Sequence, residues 1–216
     1  MTPPAGAFVV FGDVVRSRDD LQASTAWLRT LTTELEAAFD PGDRLAPIAF
    51  TQGDELQALL TLDADPLAAV LRGTLHPDAV EMRWAIVAGG IEPGSGPTTE
   101  RTGSAFLAAR ALIEKARARR DSLVIGTEDP RADTLLAELA PLFGTLLGDL
   151  TDRQRELARL MLVEGLRQAD VAERLDVSRA TISVMADRAR IRHLDGLAAV
   201  LRRIVRDAIG RAERAP

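Results

Sequence analysis

The sequence predicts an α+β protein, with an antiparallel sheet in its first part and an all-helical region after it. Strand-like apolar runs alternate with stretches of helical spacing up to residue 127, whereas every segment from about residue 130 onward has helical periodicity. No run approaches the roughly 18 apolar residues that cross a bilayer. The 216 residues, 46% hydrophobic and 27% charged, suffice for one large or two small globular domains.

The first strand-like run is AFVVFGDVV at residues 7–15, and its continuous apolar character is typical of a strand buried on both faces. A helix follows two acidic residues, carries leucines at helical spacing and stops at a Pro-Gly pair. Gly53-Asp54 is a two-residue hairpin signal between the strand-like runs 45–52 and 55–62. The next predicted elements are a helix over 65–75, a strand over 82–91, a loop over 92–102, a helix over 103–120 and a strand over 122–127.

This order of strand, helix, strand, strand, helix and strand is typical of a ferredoxin-like sheet, and an extra helix and strand follow it. A boundary near 148–151, where Gly148 and Thr151 punctuate two helices, divides the chain into predicted domains 1–148 and 149–216. No Gly/Ser-rich linker separates the domains, so we expect them to pack together.

Composition narrows the function classes. The chain has no cysteine and two histidines, which excludes disulfides, thiolate nucleophiles and Cys-ligated or His-rich metal centres. The net charge of −5 argues against a nucleic-acid partner. However, it averages a first part at −8 (13 basic against 21 acidic residues) with a part from Asp149 onward at +3 (14 arginines against 11 acidic residues). The start of the chain lacks the basic segment of a secretory signal, so we expect a cytoplasmic protein with no membrane partner.

Two carboxylates are predicted to meet at one edge of the sheet. The first strand and the first hairpin strand of a ferredoxin-like sheet point the same way, so Asp13 at the end of one and Asp54 in the hairpin turn become neighbours. Paired acids without a cationic partner repel each other, which favours a divalent metal such as Mg²⁺ or Mn²⁺ or a raised pKa. The alternative is that Asp13 only ends a strand and Asp54 only forms a tight turn.

Four blocks carry a family resemblance: FGDVVRSR, TQGDELQALL, MRWAIVAGGI and GSAFLAARAL, in that order. Together they resemble the SatD family of bacterial proteins over roughly residues 7–120 and, more distantly, the palm of class III nucleotide cyclases. The resemblance implies a palm-like first domain. It also implies that Asp13 and Asp54 are metal ligands, with the Val14 carbonyl as a third candidate.

The same resemblance implies a nucleotide or phosphate site. Arg110 matches the helix arginine that stabilises the transferring phosphate in cyclases. The family blocks also include Glu55 and Gln57, which could otherwise be solvated strand positions. Arg16 and Arg18 could contact phosphates or cap the next helix.

Two positions depart from the cyclase pattern. Phe106 stands where the family has an asparagine, and Phe50 stands where it has the lysine that reads the purine. A purine nucleotide is the ligand that the resemblance implies, but these departures favour metal and phosphate binding over turnover. A nucleotide-processing enzyme is therefore the alternative function and not the first one.

The second domain contains two short predicted helices and a tight turn, in LRQADVAERLDVSRATISVMADRAR. Ala172 occupies the position where the two helices approach closely, and Ser178 is a good N-cap for the second. The segment resembles the helix-turn-helix of sigma-factor region four and of many bacterial regulators. The turn of this motif usually holds glycine, and the Asp176 found here accepts unusual backbone angles better than most residues.

In this motif the second helix enters the DNA major groove with its N-terminal residues forward. We expect its first residues to meet base edges, including a guanine gripped by an arginine, and later arginines to meet phosphates. The predicted DNA-binding residues are Ser178, Arg179, Ala180, Thr181, Ser183, Arg188 and Arg190. The alternative is a helical hairpin that pairs with another protein.

These features predict a DNA-binding transcriptional regulator whose first domain binds a metal-nucleotide or phosphate ligand, dimerises, or does both. One motif per chain predicts a homodimer that reads two half-sites on double-stranded DNA. The alternative is a cyclase-like enzyme that uses Mg²⁺ or Mn²⁺ and carries an accessory DNA-binding domain. The last helix, over 194–212, is expected to pack on its own domain, with dimerisation as the alternative.

Overall fold

Five strands and eight α-helices make up the computed structural model, and its described residues are 5–17, 19–51, 54–212 and 214. The predicted roles of Arg18 and of Gly53 lie outside the described residues. The strands are β1 (Ala5–Val14), β2 (Ala49–Phe50), β3 (Glu55–Leu60), β4 (Met82–Ile91) and β5 (Leu123–Gly126). The helices are α1 (Leu21–Ala38), α2 (Leu67–Leu75), α3 (Ser104–Arg119), α4 (Pro130–Gly148), α5 (Asp152–Ala158), α6 (Gln168–Arg174), α7 (Arg179–Arg188) and α8 (Ile191–Ala212).

The strands form one sheet in the order β2-β3-β1-β4-β5. β1 pairs antiparallel with both β3 and β4, and β5 pairs parallel with β4. The first four strands therefore have the ferredoxin-like order, and α3 and β5 are the extra helix and strand that the sequence predicts. The predicted α+β fold class is confirmed.

Helices cover both faces of the sheet, which explains the continuous apolar run of β1. Phe8 and Val10 belong to the core that the sheet shares with α1, α2 and α4. Val9 and Phe11 belong to a second core beneath α3. Successive side chains of a strand alternate between its faces, so a strand buried on both faces has no polar positions to reveal an alternation.

The prediction of a strand over 45–52 is wrong for most of its length, because only Ala49–Phe50 pairs with β3. Pro47 has no backbone N–H to donate to a neighbouring strand. Its carbonyl accepts hydrogen bonds from the backbone N and the hydroxyl of Thr98, at 3.2 and 2.9 Å. The other backbone groups of this segment have scattered partners, since the backbone N of Leu45 donates to the Leu59 carbonyl and that of Ile48 donates to Glu36 Oε1, so no regular ladder forms.

The helical region packs on the sheet domain, as expected from the missing linker. One apolar core runs from the sheet through α4 into α5–α8. Among the described residues, three ion pairs join the parts: Arg159 with Glu34 at 2.9 Å, Arg202 with Asp65 at 2.7 Å, and Arg211 with Asp129 at 2.5 Å. Helix α8 packs against α4, which belongs to the predicted first domain, and also against α7 of its own domain. Across the described ranges, no helix combines the length and the apolar character that a membrane crossing requires.

Candidate functional site

The first candidate site is the sheet edge where β1 ends and β3 begins. Asp13 is the register partner of Glu55, and the backbone N of Val14 donates to the Asp54 carbonyl oxygen at 2.8 Å. The antiparallel pairing thus brings the two aspartates of the sequence prediction to the same edge. Arg83, at the start of β4, is the register partner of Asp13 on its other side.

The side chain of Arg117 also lies at this edge, and sequence reasoning missed it. Arg117 donates from Nη2 to Asp13 Oδ1 at 2.6 Å and from Nε to Asp13 Oδ2 at 3.2 Å, and Arg83 Nη1 lies 3.7 Å from Oδ2. The Asp13 side chain is only 3% exposed. Its hydrogen bond with Arg117 raises the pKa of the guanidinium above the ordinary arginine value, and the negative charges of Asp13, Glu114 and Asp54 add to this effect.

The carboxylates of both aspartates already accept hydrogen bonds from other side chains of the protein. Both carboxylate oxygens of Asp13 accept hydrogen bonds from Arg117, and Asp54 Oδ2 accepts one from the Ser17 hydroxyl at 3.0 Å. In the part of the chain that the structure describes, no three Asp, Glu or His side chains converge as a metal site. The premise of a carboxylate pair without a cationic partner is wrong for Asp13. Metal binding at these aspartates stays a prediction.

Helix direction explains why Arg117 reaches the site and Arg110 does not. The Ser104 hydroxyl donates to the Gly90 carbonyl, so α3 begins near the far end of β4 and runs back along the sheet. Its last turn, not its middle, therefore meets the edge where β4 begins. Arg110 lies two turns earlier, about 10 Å along the axis, and its side chain is exposed.

The remaining residues predicted for the phosphate site are spread around the edge. Arg16 is exposed and has a left-handed backbone (φ 57°) in the turn that leaves β1. Gln57 is buried and donates to Glu55 Oε1 at 2.5 Å, so these two side chains bond to each other. Their predicted roles in ligand binding stay predictions.

The second candidate site is the helix pair α6 and α7. Val171 and Ala172 of α6 and Ile182 of α7 are buried, which confirms the close approach expected at Ala172. A short turn joins the helices, and Asp176 in it has a left-handed backbone with φ 51°. The geometry is that of a helix-turn-helix, in which aspartate adopts the conformation that glycine usually provides.

Replacing Asp176 tests this turn. Asp176→Gly should leave the free energy of unfolding unchanged or slightly raised, because glycine adopts positive φ freely. Asp176→Val should lower it by about 1–2 kcal/mol, because a β-branched residue is strained there. Urea denaturation measures both, with Glu173→Val on exposed, regular helix as the control. Equal losses for the two valine variants would contradict the left-handed turn.

Helix α7, the second helix of the motif, presents its N-terminal half to solvent. Ser178 caps it by accepting a hydrogen bond from the backbone N of Thr181 at 3.0 Å, so its hydroxyl is already engaged. Arg179, Ala180 and Thr181 are exposed, whereas Ser183 is half-buried. Beyond them, the later arginines predicted for phosphate contacts, Arg188 and Arg190, are exposed.

Val184 is a further outward residue that the sequence prediction omitted. Its side chain is 51% exposed, and it lies one turn after Ala180 on the face opposite Ile182 and Ala186, which are buried. The available sequence signal was its spacing, since Val184 lies two residues from both Ile182 and Ala186, about 200° around the helix. Ala180 and Val184 together form a small apolar surface on the outer side of α7.

A buried helix pair with an exposed second helix is the geometry of a helix-turn-helix domain. The comparison with protein families agrees: the family model described as Sigma-70, region 4 matches residues 146–192, which include α5, α6 and α7. Neither the curated proteins nor the solved structures gave a match to this chain. The predicted helix-turn-helix is thereby confirmed, and the resemblance of the first domain to SatD proteins and cyclase palms stays a prediction.

Proposed function

We propose that the protein is a transcriptional regulator that acts in the cytoplasm and binds specific sequences of double-stranded DNA through α7. The observation that carries this proposal is the exposed N-terminal half of α7 in a domain that matches Sigma-70, region 4. Such a helix fits the major groove, whose width admits an α-helix. Its neighbours α5, α6 and α8 support it from the inner side.

The side chains of α7 divide into two kinds of DNA contact. Arg179 can donate two hydrogen bonds to the O6 and N7 atoms of a guanine, and Ala180 and Val184 offer methyl groups to thymine. Arg188 and Arg190, near the helix end, suit phosphates, which fix the register of a protein on DNA without reading its sequence. The first group would therefore set specificity, and the second would supply affinity that depends on salt.

Charge distribution supports this orientation. The residues from Asp149 onward carry a net charge of +3, and the preceding residues carry −8. An acidic first domain repels the DNA backbone, so contacts would concentrate on the face that carries α7.

The test is selection from a randomised pool of DNA duplexes by repeated gel-shift separation with the full chain. We expect a recurring sequence, because base contacts from α7 favour particular base pairs. Val184→Glu is the matched variant for loss of DNA binding. It places a carboxylate on the outer face of α7, where the DNA would lie, without touching the buried face. If the unchanged protein recovered duplexes that share no recurring sequence, the proposal would be refuted.

We further propose that the regulator acts as a homodimer. The described residues of each chain contain one helix-turn-helix, and two copies can read half-sites about one helical turn of DNA apart. The selected sequence should therefore contain two inverted copies of one short motif. A single unrepeated motif would contradict the dimer and leave DNA binding in place.

A nucleotide ligand of the first domain, and nucleotide processing as the alternative function, stay predictions. The Arg117–Asp13 ion pair is the feature that any phosphate ligand at this edge would have to engage. Thermal unfolding with nucleoside triphosphates and Mg²⁺ or Mn²⁺ provides the measurement, because a ligand at 100 times its Kd adds about 2.7 kcal/mol of stability. An unchanged Tm with every nucleotide would contradict the ligand.

A further inference from the structure

An apolar strip lies on the outer side of the α4–α8 helix pair. Leu135 and Leu142 of α4 are 54% and 50% exposed, and Val200 of α8 is 43% exposed. The half-buried members of the strip, which pack between the exposed ones and the core, are Leu139, Leu146, Leu197 and Ile204. We call these seven residues the α4–α8 strip. Its leucines recur every three or four residues along α4, the spacing of a helix face that packs against another helix.

The two helices of the strip run antiparallel. Arg211 near the end of α8 donates to Asp129, the N-cap of α4, at 2.5 Å. At the other end, Leu194 of α8 lines the same cavity as Leu146 of α4. The N-terminus of α8 thus lies beside the C-terminus of α4.

Opposite charges flank the strip. Glu138 lies nine residues after Asp129, and Arg203 lies eight residues before Arg211. Because Arg211 bonds to Asp129 and a helix rises 1.5 Å per residue, Glu138 and Arg203 lie at the same height along the helix pair to within about 2 Å. At 100° per residue, Glu138 is about 60° from Leu135 on the side away from α8, and Arg203 is on the side of α8 away from α4. Both are exposed, and neither forms an ion pair with another described residue.

We propose that a second copy of this chain covers the α4–α8 strip, related by a two-fold axis parallel to the two helices. Such an axis places α4 of each copy over α8 of the other and preserves the level of every residue along the axis. Glu138 of one copy then lies opposite Arg203 of the other, and this contact occurs twice. The four helices form an antiparallel bundle with the strip at its centre.

The direction of the axis follows from the recognition helices. Two residues separate the end of α7 from the start of α8, so α7 lies at the α8 N-terminus. A two-fold axis parallel to α8 keeps both α7 helices at the same end of the dimer, where one DNA duplex can meet them. An axis perpendicular to α8 would send them to opposite ends. This step rests on the proposed DNA-binding function, whereas the strip and its flanking charges do not.

Sedimentation of the full chain without DNA tests the interface. We expect a dimer for the unchanged protein, a monomer for Leu142→Asp, and a dimer for the matched control Leu107→Asp, whose site on α3 is 73% exposed and outside the strip. Circular dichroism checks that each variant is folded. A monomeric unchanged protein, or equal masses for the two variants, would overturn the proposal.

A charge exchange tests the orientation of the two copies. Glu138→Arg and Arg203→Glu should each raise the dimer Kd by at least about tenfold, since like charges then face each other twice. Combining them should restore the original Kd, and no restoration would overturn the two-fold arrangement. A monomer that still selects a DNA sequence would refute this interface and leave the proposed DNA binding in place, and a dimer that selects none would refute the proposed DNA binding and leave the interface in place.

Discussion

Replacing Arg117 with methionine is expected to lower the free energy of unfolding by about 3 kcal/mol. Asp13 is nearly fully buried, and removal of its hydrogen-bonded partner leaves a carboxylate with only the more distant Arg83 as a cation. The reverse change, Asp13→Ala, should cost less, because the Arg117 side chain is 41% exposed and can turn toward water and Glu114. Urea denaturation at pH 7 measures both losses.

Arg110→Met is the matched control for this prediction. It removes the same side chain from the same helix, but at an exposed position two turns away, so its effect should stay within about 0.5 kcal/mol. Equal losses for the two methionine variants would show that Arg117 has no special role at this sheet edge.

Replacing Arg179 with alanine is expected to weaken binding to the selected DNA sequence by about 1–3 kcal/mol, roughly 5- to 150-fold. The loss should vanish when one particular base pair of the site is changed, because the missing guanidinium reads that base. Arg179 is exposed at the start of α7, so stability should change little. Fluorescence anisotropy with a series of single-base variants of the site measures the effect.

Arg188→Ala is the corresponding control for a phosphate contact. It should weaken binding to all sequences alike and reduce the slope of log K against log salt by about one. If Arg179→Ala behaved in the same way, the arginine would contact the backbone and not a base. The orientation of α7 assumed in the proposal would then be wrong.

Local sequence rules predicted those parts of the fold in which neighbouring residues decide the structure. The left-handed turn at Asp176, the cap at Ser178 and the strand over the first apolar run all depend on short-range geometry. The segment 45–52 was harder, because its backbone also bonds to partners that are distant in the sequence, such as Thr98, which lies 51 residues from Pro47. No local sequence pattern indicates a hydrogen-bond partner at that distance.

The charged residues at the sheet edge likewise depend on contacts between distant parts of the sequence. That Asp13 and Asp54 share an edge followed from strand order alone. The partner of Asp13 required the direction of α3 as well, since the helix runs back along the sheet and delivers Arg117, 104 residues away in the sequence, rather than Arg110. Val184 was missed because an apolar residue in a helix is expected to face the core, whereas its side chain is exposed in the structure.

The most direct measurement of the central claim is the ratio of two affinities at physiological salt. One is for the duplex selected from the randomised pool, and the other is for a duplex of the same composition with its sequence scrambled. Specific regulators bind their sites about 10³-fold or more tightly than other DNA. If α7 reads bases in the major groove, the ratio should reach that range. Equal affinities for the two duplexes would contradict the account.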